Sequence, residues 1–144
     1  TSPGNDTRVS EDKIRGYKHF ANKLWNIARF VATSIDDKKH EQTPTPQDQE
    51  AIDEFSKLKT EVTSDMDNYR FYLAGEKLYH YTWHTFADKL IEQNKKGLNT
   101  GATLNKIFTE LLILLHPFTP FVTEEIWRLL GSHTSLIAGE WPKD

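Results

Sequence analysis

Leu104-Asn105-Lys106-Ile107-Phe108-Thr109-Glu110-Leu111-Leu112-Ile113-Leu114-Leu115-His116-Pro117-Phe118-Thr119-Pro120-Phe121-Val122-Thr123-Glu124-Glu125-Ile126-Trp127 is the stretch that decides the fold. Leu104, Ile107, Phe108, Leu111, Leu112, Leu114 and Leu115 recur at helical spacing, and the last turn is apolar on nearly every side. Such a helix has to be wrapped by others, so it is expected to be the most buried. Pro117 disfavours helical geometry at His116 and ends it. Thr119 as cap and Pro120 as first residue start a short helix carrying Phe121, Val122, Ile126, Trp127, Leu129 and Leu130, which stops at Gly131. The tail, with Leu136, Ile137 and Trp141-Pro142, is expected to be extended and packed back on the helices.

Upstream, Tyr79, Trp83, Phe86 and Leu90 mark the buried side of a helix over about Phe71 to Asn94, closed by Lys95-Lys96-Gly97. Leu98 to Thr103 reads as a turn. Ile52, Phe55, Leu58, Val62, Met66 and Tyr69 define a helix that starts near Pro46, with Thr45 as cap, and breaks at Asp67–Arg70. Ser34 to Gln47 reads as a loop. The first helix runs from Ser10, a suitable N-cap followed by Glu11 and Asp12, to about Thr33. Its core-facing stripe is Ile14, Tyr17, Ala21, Leu24, Ala28 and Val31, and Thr1 to Val9 is an extended lead-in. The expected fold is all-α: an up-and-down bundle of four long helices plus a short C-terminal helix and an extended tail. Most aromatics are then core residues, each contributing about 1.5–3 kcal/mol on burial.

Composition narrows the function. With no cysteine, disulfides, thiolate–zinc sites and cysteine nucleophiles are excluded. No run of about 18 apolar residues is present, so no membrane span is expected. The net charge of −3 argues against coating nucleic acid non-specifically. That charge is uneven. Between Glu11 and Val31 five bases (Lys13, Arg15, Lys18, Lys23, Arg29) face two acids, whereas Asp36 to Asp67 holds ten acids and four bases. A localised contact suits such a chain better than general binding.

That contact has a candidate. Arg15, Lys18, Asn22, Asn26 and Arg29 follow one another at helical spacing and line one side of the first helix, and none is acidic. Trp25 and Phe30 sit at the borders between this face and the core. A cationic, amide-bearing ridge flanked by aromatics can hold phosphates and stack unpaired bases; a merely solvated polar face has similar composition. Trp25 is open to both a stacking and a core role.

Other constellations carry less. Glu76, His80, His84 and Asp88 repeat every four residues, but one row on one straight helix cannot close a tetrahedral metal site without a second element. Adjacent Glu124 and Glu125 point about 100° apart and suit the helix dipole better than acid–base work. Ser132, His133 and Ser135 lack an acid placed to orient the histidine. No glycine-rich phosphate loop occurs. No active site is expected here.

Three segments carry a family resemblance. The stretch Ile14-Arg15-Gly16-Tyr17-Lys18-His19-Phe20-Ala21-Asn22-Lys23-Leu24-Trp25-Asn26-Ile27-Ala28-Arg29-Phe30 closely resembles the start of the anticodon-binding domain in bacterial-type valyl-tRNA synthetases, with its Gly-Tyr-(Arg/Lys), Asn-Lys, Trp-Asn and Arg-Phe steps. Asn68-Tyr69-Arg70-Phe71, leading into Tyr79-His80-Tyr81-Thr82-Trp83-His84-Thr85-Phe86-Ala87-Asp88, is similar to the same family. His116-Pro117-Phe118-Thr119-Pro120-Phe121-Val122-Thr123-Glu124-Glu125-Ile126-Trp127 resembles a signature shared by the valyl, isoleucyl and leucyl enzymes. The first two matches favour valine; an isoleucyl or leucyl anticodon domain, or a protein-interaction bundle, are the alternatives.

The resemblance implies a helical domain (residues 10–144) that binds the tRNA(Val) anticodon stem-loop in a cytoplasmic ligase using ATP and Mg. Residues 1–9 would be the last trace of that ligase's catalytic domain, the fragment's partner in the same parent chain. Neither the HIGH nor the KMSKS motif is present, and the chain lacks an initiator Met, so a non-catalytic fragment holding no cofactor or metal is expected. By position the resemblance selects Asn22, Lys23, Asn26 and Arg29 for the anticodon. The helix-face argument adds Arg15 and Lys18 as phosphate contacts, and Phe30 or Trp25 as stacking platforms. The central A and 3′-side C of the valine anticodon are the bases the family is expected to read.

Overall fold

A computed structural model describes residues 3–36, 43–130 and 141–142, with side chains from residue 15 onward in the first helix as far as residue 34. Among the described residues all regular secondary structure is helical. The elements are α1 (Pro3–Asp36), α2 (Pro46–Asp67), α3 (Phe71–His80), a π-helical stretch (Tyr81–Leu90), α4 (Ile91–Lys95), α5 (Gly101–Leu115) and α6 (Pro120–Leu129). The stretch from α3 through α4 is one unbroken rod.

The contacts fix the direction of each helix. From the α2–α3 turn outward, Asp65 meets Lys77, Phe55 meets Tyr81, and Glu54 and Glu50 meet Lys89, so α2 and the rod run antiparallel. Along α1, Phe20 meets Tyr79, Lys23 meets Trp83 and Phe30 meets Lys95, so α1 and the rod run parallel. Asp48 meets Thr100 and Lys59 meets Glu110, which makes α5 parallel to α2. This is the up-and-down order expected from short connections. The apolar α5 packs against α1, α2, α3 and α6, and Leu104, Ile107, Phe108, Leu111, Leu112, Leu114 and Leu115 are all buried.

Local chemistry explains the helix ends. Thr45 caps α2 through a reciprocal box with Asp48, and Pro46 occupies the first helical position. Asn68–Arg70 break the chain, with Tyr69 at φ 60°. α5 ends at Leu115 before His116-Pro117, and Pro120 opens α6. Trp141 returns to the bundle, its Nε1 donating to Thr63 Oγ1 at 2.8 Å. Leu136, Ile137, Gly131 and the Ser132–Ser135 segment lie outside the described residues.

Five expectations need correction. α1 begins at Pro3, so Ser10 is inside the helix and residues 3–9 are not extended: Pro is well suited to a first helical position, and no breaker separates Asn5 from Gly16. α5 begins at Gly101, three residues before Leu104, because Thr100 caps it by accepting from the Thr103 N–H. Tyr17 and Tyr69 are exposed, the first displaced from the core by Phe20, Leu24 and Ile27, the second by its position outside the helix. Tyr79 is 45% exposed and Trp83 only half-buried.

The last correction follows from the π-helical stretch. Of the buried residues on the rod, Ala74, Leu78, Thr82, Phe86 and Leu90 form a row at a strict spacing of four, with Tyr81 and Ile91 beside it. In an α-helix each step of four overshoots a full turn by about 40°, so the row would wind away from the core. The wider π turns reverse that drift and hold the row against α5. Thr82 supports the change of register: its hydroxyl donates to the Leu78 carbonyl at 2.8 Å, a bond to the preceding turn that tends to bend helices.

Candidate nucleic-acid interface

All five ridge residues of α1 point outward. Arg15, Lys18, Asn22, Asn26 and Arg29 are exposed, while Phe20, Leu24, Ile27, Ala28 and Val31 on the other side are buried. The α-helical period of α1 is regular here, which is why polar and apolar positions separate into two faces. Arg29 Nη1 donates to Asn26 Oδ1 at 3.2 Å. That bond orients the guanidinium along the ridge and engages the Asn26 carbonyl oxygen, so its amide nitrogen has no partner among the described residues.

The remaining three expected residues are set deeper. Lys23 is half-buried, with Nζ 4.9 Å from the centroid of the Trp83 ring, a cation–π contact that fixes the ammonium at the helix boundary. Phe30 is half-buried, with Lys95 Nζ 5.8 Å from its centroid. Trp25 is half-buried and packs against the core, so its larger part is structural.

Lys23, Asn26 and Phe30 belong to one groove of about 510 Å³ between α1 and the rod. Its size lies within the range of roughly 300–1,000 Å³ in which small organic groups are bound. Ile27, Ala87 and Ile91 give it apolar surface, and Asp88, Glu92 and Lys95 form its far wall. Lys95 Nζ is 3.0 Å from Glu92 Oε1. The groove thus combines an aromatic surface, an amide, two ammonium groups and two carboxylates. Sequence reasoning missed the far wall. In the sequence Asp88 stands in the four-residue repeat with Glu76, His80 and His84, and only tertiary packing brings it into the groove that Asn26 lines. His80 and His84 have ring centroids 4.6 Å apart, and His84 Nδ1 is 3.8 Å from Asp88 Oδ2. Among the described residues no three such groups converge as a metal-ligand set.

A second, more apolar hollow of about 720 Å³ is lined by Phe71, Tyr72, Gly75, Tyr79 and Phe118 among others. Tyr79 of this hollow stacks on Phe20 at 5.0 Å and lies 5.9 Å from Trp83. No helix among the described residues is long and apolar enough to cross a membrane.

The family profile described as Anticodon-binding domain of tRNA ligase matches residues 48–144. The chain belongs to this anticodon-binding family. The matched region holds α2 to α6 and the groove's far wall; the α1 ridge precedes it. Similarity to curated proteins extends over the ridge as well. The chain is 33% identical to a valine–tRNA ligase of Mesoplasma florum over 157 residues, covering 98% of this chain and 18% of that protein. It is 34% identical to the valine–tRNA ligase of Bacillus anthracis, covering 99% and 18%. With the valine–tRNA ligase of Pelagibacter ubique it shares 37% identity, covering 88% and 16%. The anticodon-binding domain described here therefore spans less than one fifth of the length of the relatives it matches.

Proposed function

We propose that this domain binds the anticodon stem-loop of tRNA(Val) and positions that tRNA for ATP- and Mg-dependent aminoacylation by a catalytic domain of the same parent chain, in the cytoplasm. The relatives named as valine–tRNA ligases favour valine over isoleucine or leucine. The observation that carries the reading is the outward-facing α1 ridge beside a groove sized for an organic ring.

In this reading Arg15 and Lys18 grip phosphates, which positions the loop without reading its sequence. Arg29 offers a planar fork to a phosphate or a flat surface to a base. Asn22 and Asn26 present amides to Watson–Crick edges, and Lys23 places a cation at the groove mouth. Phe30 supplies an aromatic edge for stacking, worth roughly 1–3 kcal/mol per base. Trp25 holds the helix in place beneath them.

Titration of valine, isoleucine and leucine anticodon hairpins against the protein tests this. The valine hairpin is expected to bind tightest. Asn26→Ala should weaken it about tenfold, and weaken a hairpin with a changed central base less, since removing one base-edge contact costs about 1–3 kcal/mol. Equal losses on both hairpins would reduce Asn26 to scaffolding. Equal binding of all three hairpins would overturn the assignment to valine.

A further inference from the structure

Tyr79, Trp83, Ala87 and Ile91 stand four residues apart on the rod and turn toward α1. Tyr79 stacks on Phe20, Trp83 lies by Lys23, and Ala87 and Ile91 enter the groove with Ile27 and Phe30. An ordinary α-helix would carry such a row away from its neighbour by about 40° at each step. The π-helical stretch from Tyr81 to Leu90 removes that drift, so Trp83 stays at Lys23.

Tryptophan is a costly residue for this seam. Its Nε1 at position 83 is buried and has no hydrogen-bond partner among the described residues. An unpaired buried donor loses its hydration without a bond in return, and phenylalanine or leucine would fill the seam without that loss. What tryptophan adds is its ring face, which attracts a cation more strongly than that of phenylalanine or tyrosine. The cation is there: Lys23 Nζ is 4.9 Å from the ring centroid.

The kind of partner decides what a lysine can still do. Lys89 and Lys95 are held by carboxylates, 3.2 Å from Glu54 and 3.0 Å from Glu92, and their charge is largely neutralised there. Among the described residues no carboxylate pairs with Lys23 in this way. A ring face holds an ammonium without cancelling its charge, and the donors turned away from the ring stay available. Lys23 also lines the groove with Asn26 and Phe30. A solvated lysine gives up rotamer freedom when it binds, whereas one already held has given it up before the RNA arrives.

Resting on the anticodon reading above, we propose that Trp83 is a positioning residue: without touching RNA, its indole face holds the Lys23 ammonium at the groove mouth, still charged and set to meet a backbone phosphate of the bound loop.

The test is a double-mutant cycle, read by fluorescence anisotropy with the valine anticodon hairpin at several salt concentrations. Trp83→Leu removes the ring and Trp83→Phe keeps a weaker one. With Lys23 present, Trp83→Leu should weaken binding about two- to tenfold, the range for ordering one long side chain, and Trp83→Phe should weaken it less. Lys23→Ala should lower the salt slope by about 0.7. In that background neither Trp83 substitution should weaken binding further. A residue that only supported the seam would weaken binding equally in both backgrounds. That result, or no loss from Trp83→Leu, overturns the inference and leaves the anticodon reading standing. If circular dichroism shows Trp83→Leu unfolded, Trp83→Phe completes the cycle under the same criteria. A second measurement needs no RNA: the ring current of Trp83 should shift the Lys23 side-chain methylene resonances upfield in the parent protein, and unshifted resonances overturn the contact itself. Failure of the parent protein to bind any hairpin overturns both this inference and the anticodon reading.

Discussion

Asp48 shows how one side chain ties distant parts of the bundle together. Its Oδ2 accepts from the Thr45 N–H at 2.9 Å and its Oδ1 from the Thr100 N–H at 2.8 Å, so it caps α2 and anchors the start of α5. Burial alone would raise its pKa. The backbone N–H groups of Thr100 and Thr45 and the hydroxyls of Thr103 and Thr100 outweigh that and hold the carboxyl below its ordinary value of 3.8. A group that ionises more readily when folded stabilises fully above its unfolded pKa and loses that contribution as pH falls through the folded value. Asp48→Ala should therefore cost about 2–3 kcal/mol in urea unfolding at pH 7, the range for buried bonds to a charged group. The deficit should shrink on acidification below pH 3.8. An equal deficit at pH 7 and pH 2.5 would mean that packing, not the charge, is what the substitution removes. Half of this arrangement is legible in the sequence. Thr45 and Pro46 announce the helix start, because capping is local chemistry. The bond to Thr100, across 52 residues, leaves no trace in any local pattern.

At the scale of elements, the same contrast separates what periodicity can and cannot reveal. α1 and α5 keep the ordinary period, so the α5 stripe and the α1 ridge can be located from spacing alone, whereas the buried side of α1 takes in Phe20 and Ile27 and leaves Tyr17 out. The rod from α3 to α4 departs from that period between Tyr81 and Leu90, and a 3.6-residue reading puts Tyr79 inside when Ala74, Leu78 and Thr82 are the buried residues. The far wall of the groove is hidden because tertiary packing, not local period, brings Asp88, Glu92 and Lys95 to α1. Gly101 is a second case: glycine after a loop reads as a turn residue, yet here it opens α5. A Cβ built there would meet the Ser34 carbonyl oxygen at 2.6 Å, a backbone atom that cannot rotate aside. Gly→Ala inside a helix ordinarily stabilises by about 0.8–1 kcal/mol. Gly101→Ala should instead destabilise by about 1–3 kcal/mol, as the end of α1 is pushed from the start of α5. Thermal unfolding decides it by sign, and a raised Tm would show that the two helices have room to spare.

For the whole molecule the decisive quantity is how charge is laid out. A chain of net charge −3 repels a polyanion at long range, so association depends on where its cations stand. On α2 the acids dominate, and Lys89 of the rod answers Glu50 and Glu54 at 3.5 and 3.2 Å. On α1 the exposed Arg15, Lys18 and Arg29 face solvent beside amides. Each phosphate neutralised on a single strand releases bound counterions and adds about 0.7 to the slope of log K against log salt. Lys18→Ala should lower that slope by about this amount for every hairpin and leave the ranking of valine, isoleucine and leucine hairpins as it was, because a phosphate contact carries no sequence information. Lys57 provides the control. It is also exposed but lies on acidic α2, and Lys57→Ala should leave the slope unchanged. A slope insensitive to Lys18 but sensitive to Lys57 would place the RNA on the opposite side of the bundle, since loss of either lysine changes the net charge of −3 by the same amount and only its position differs.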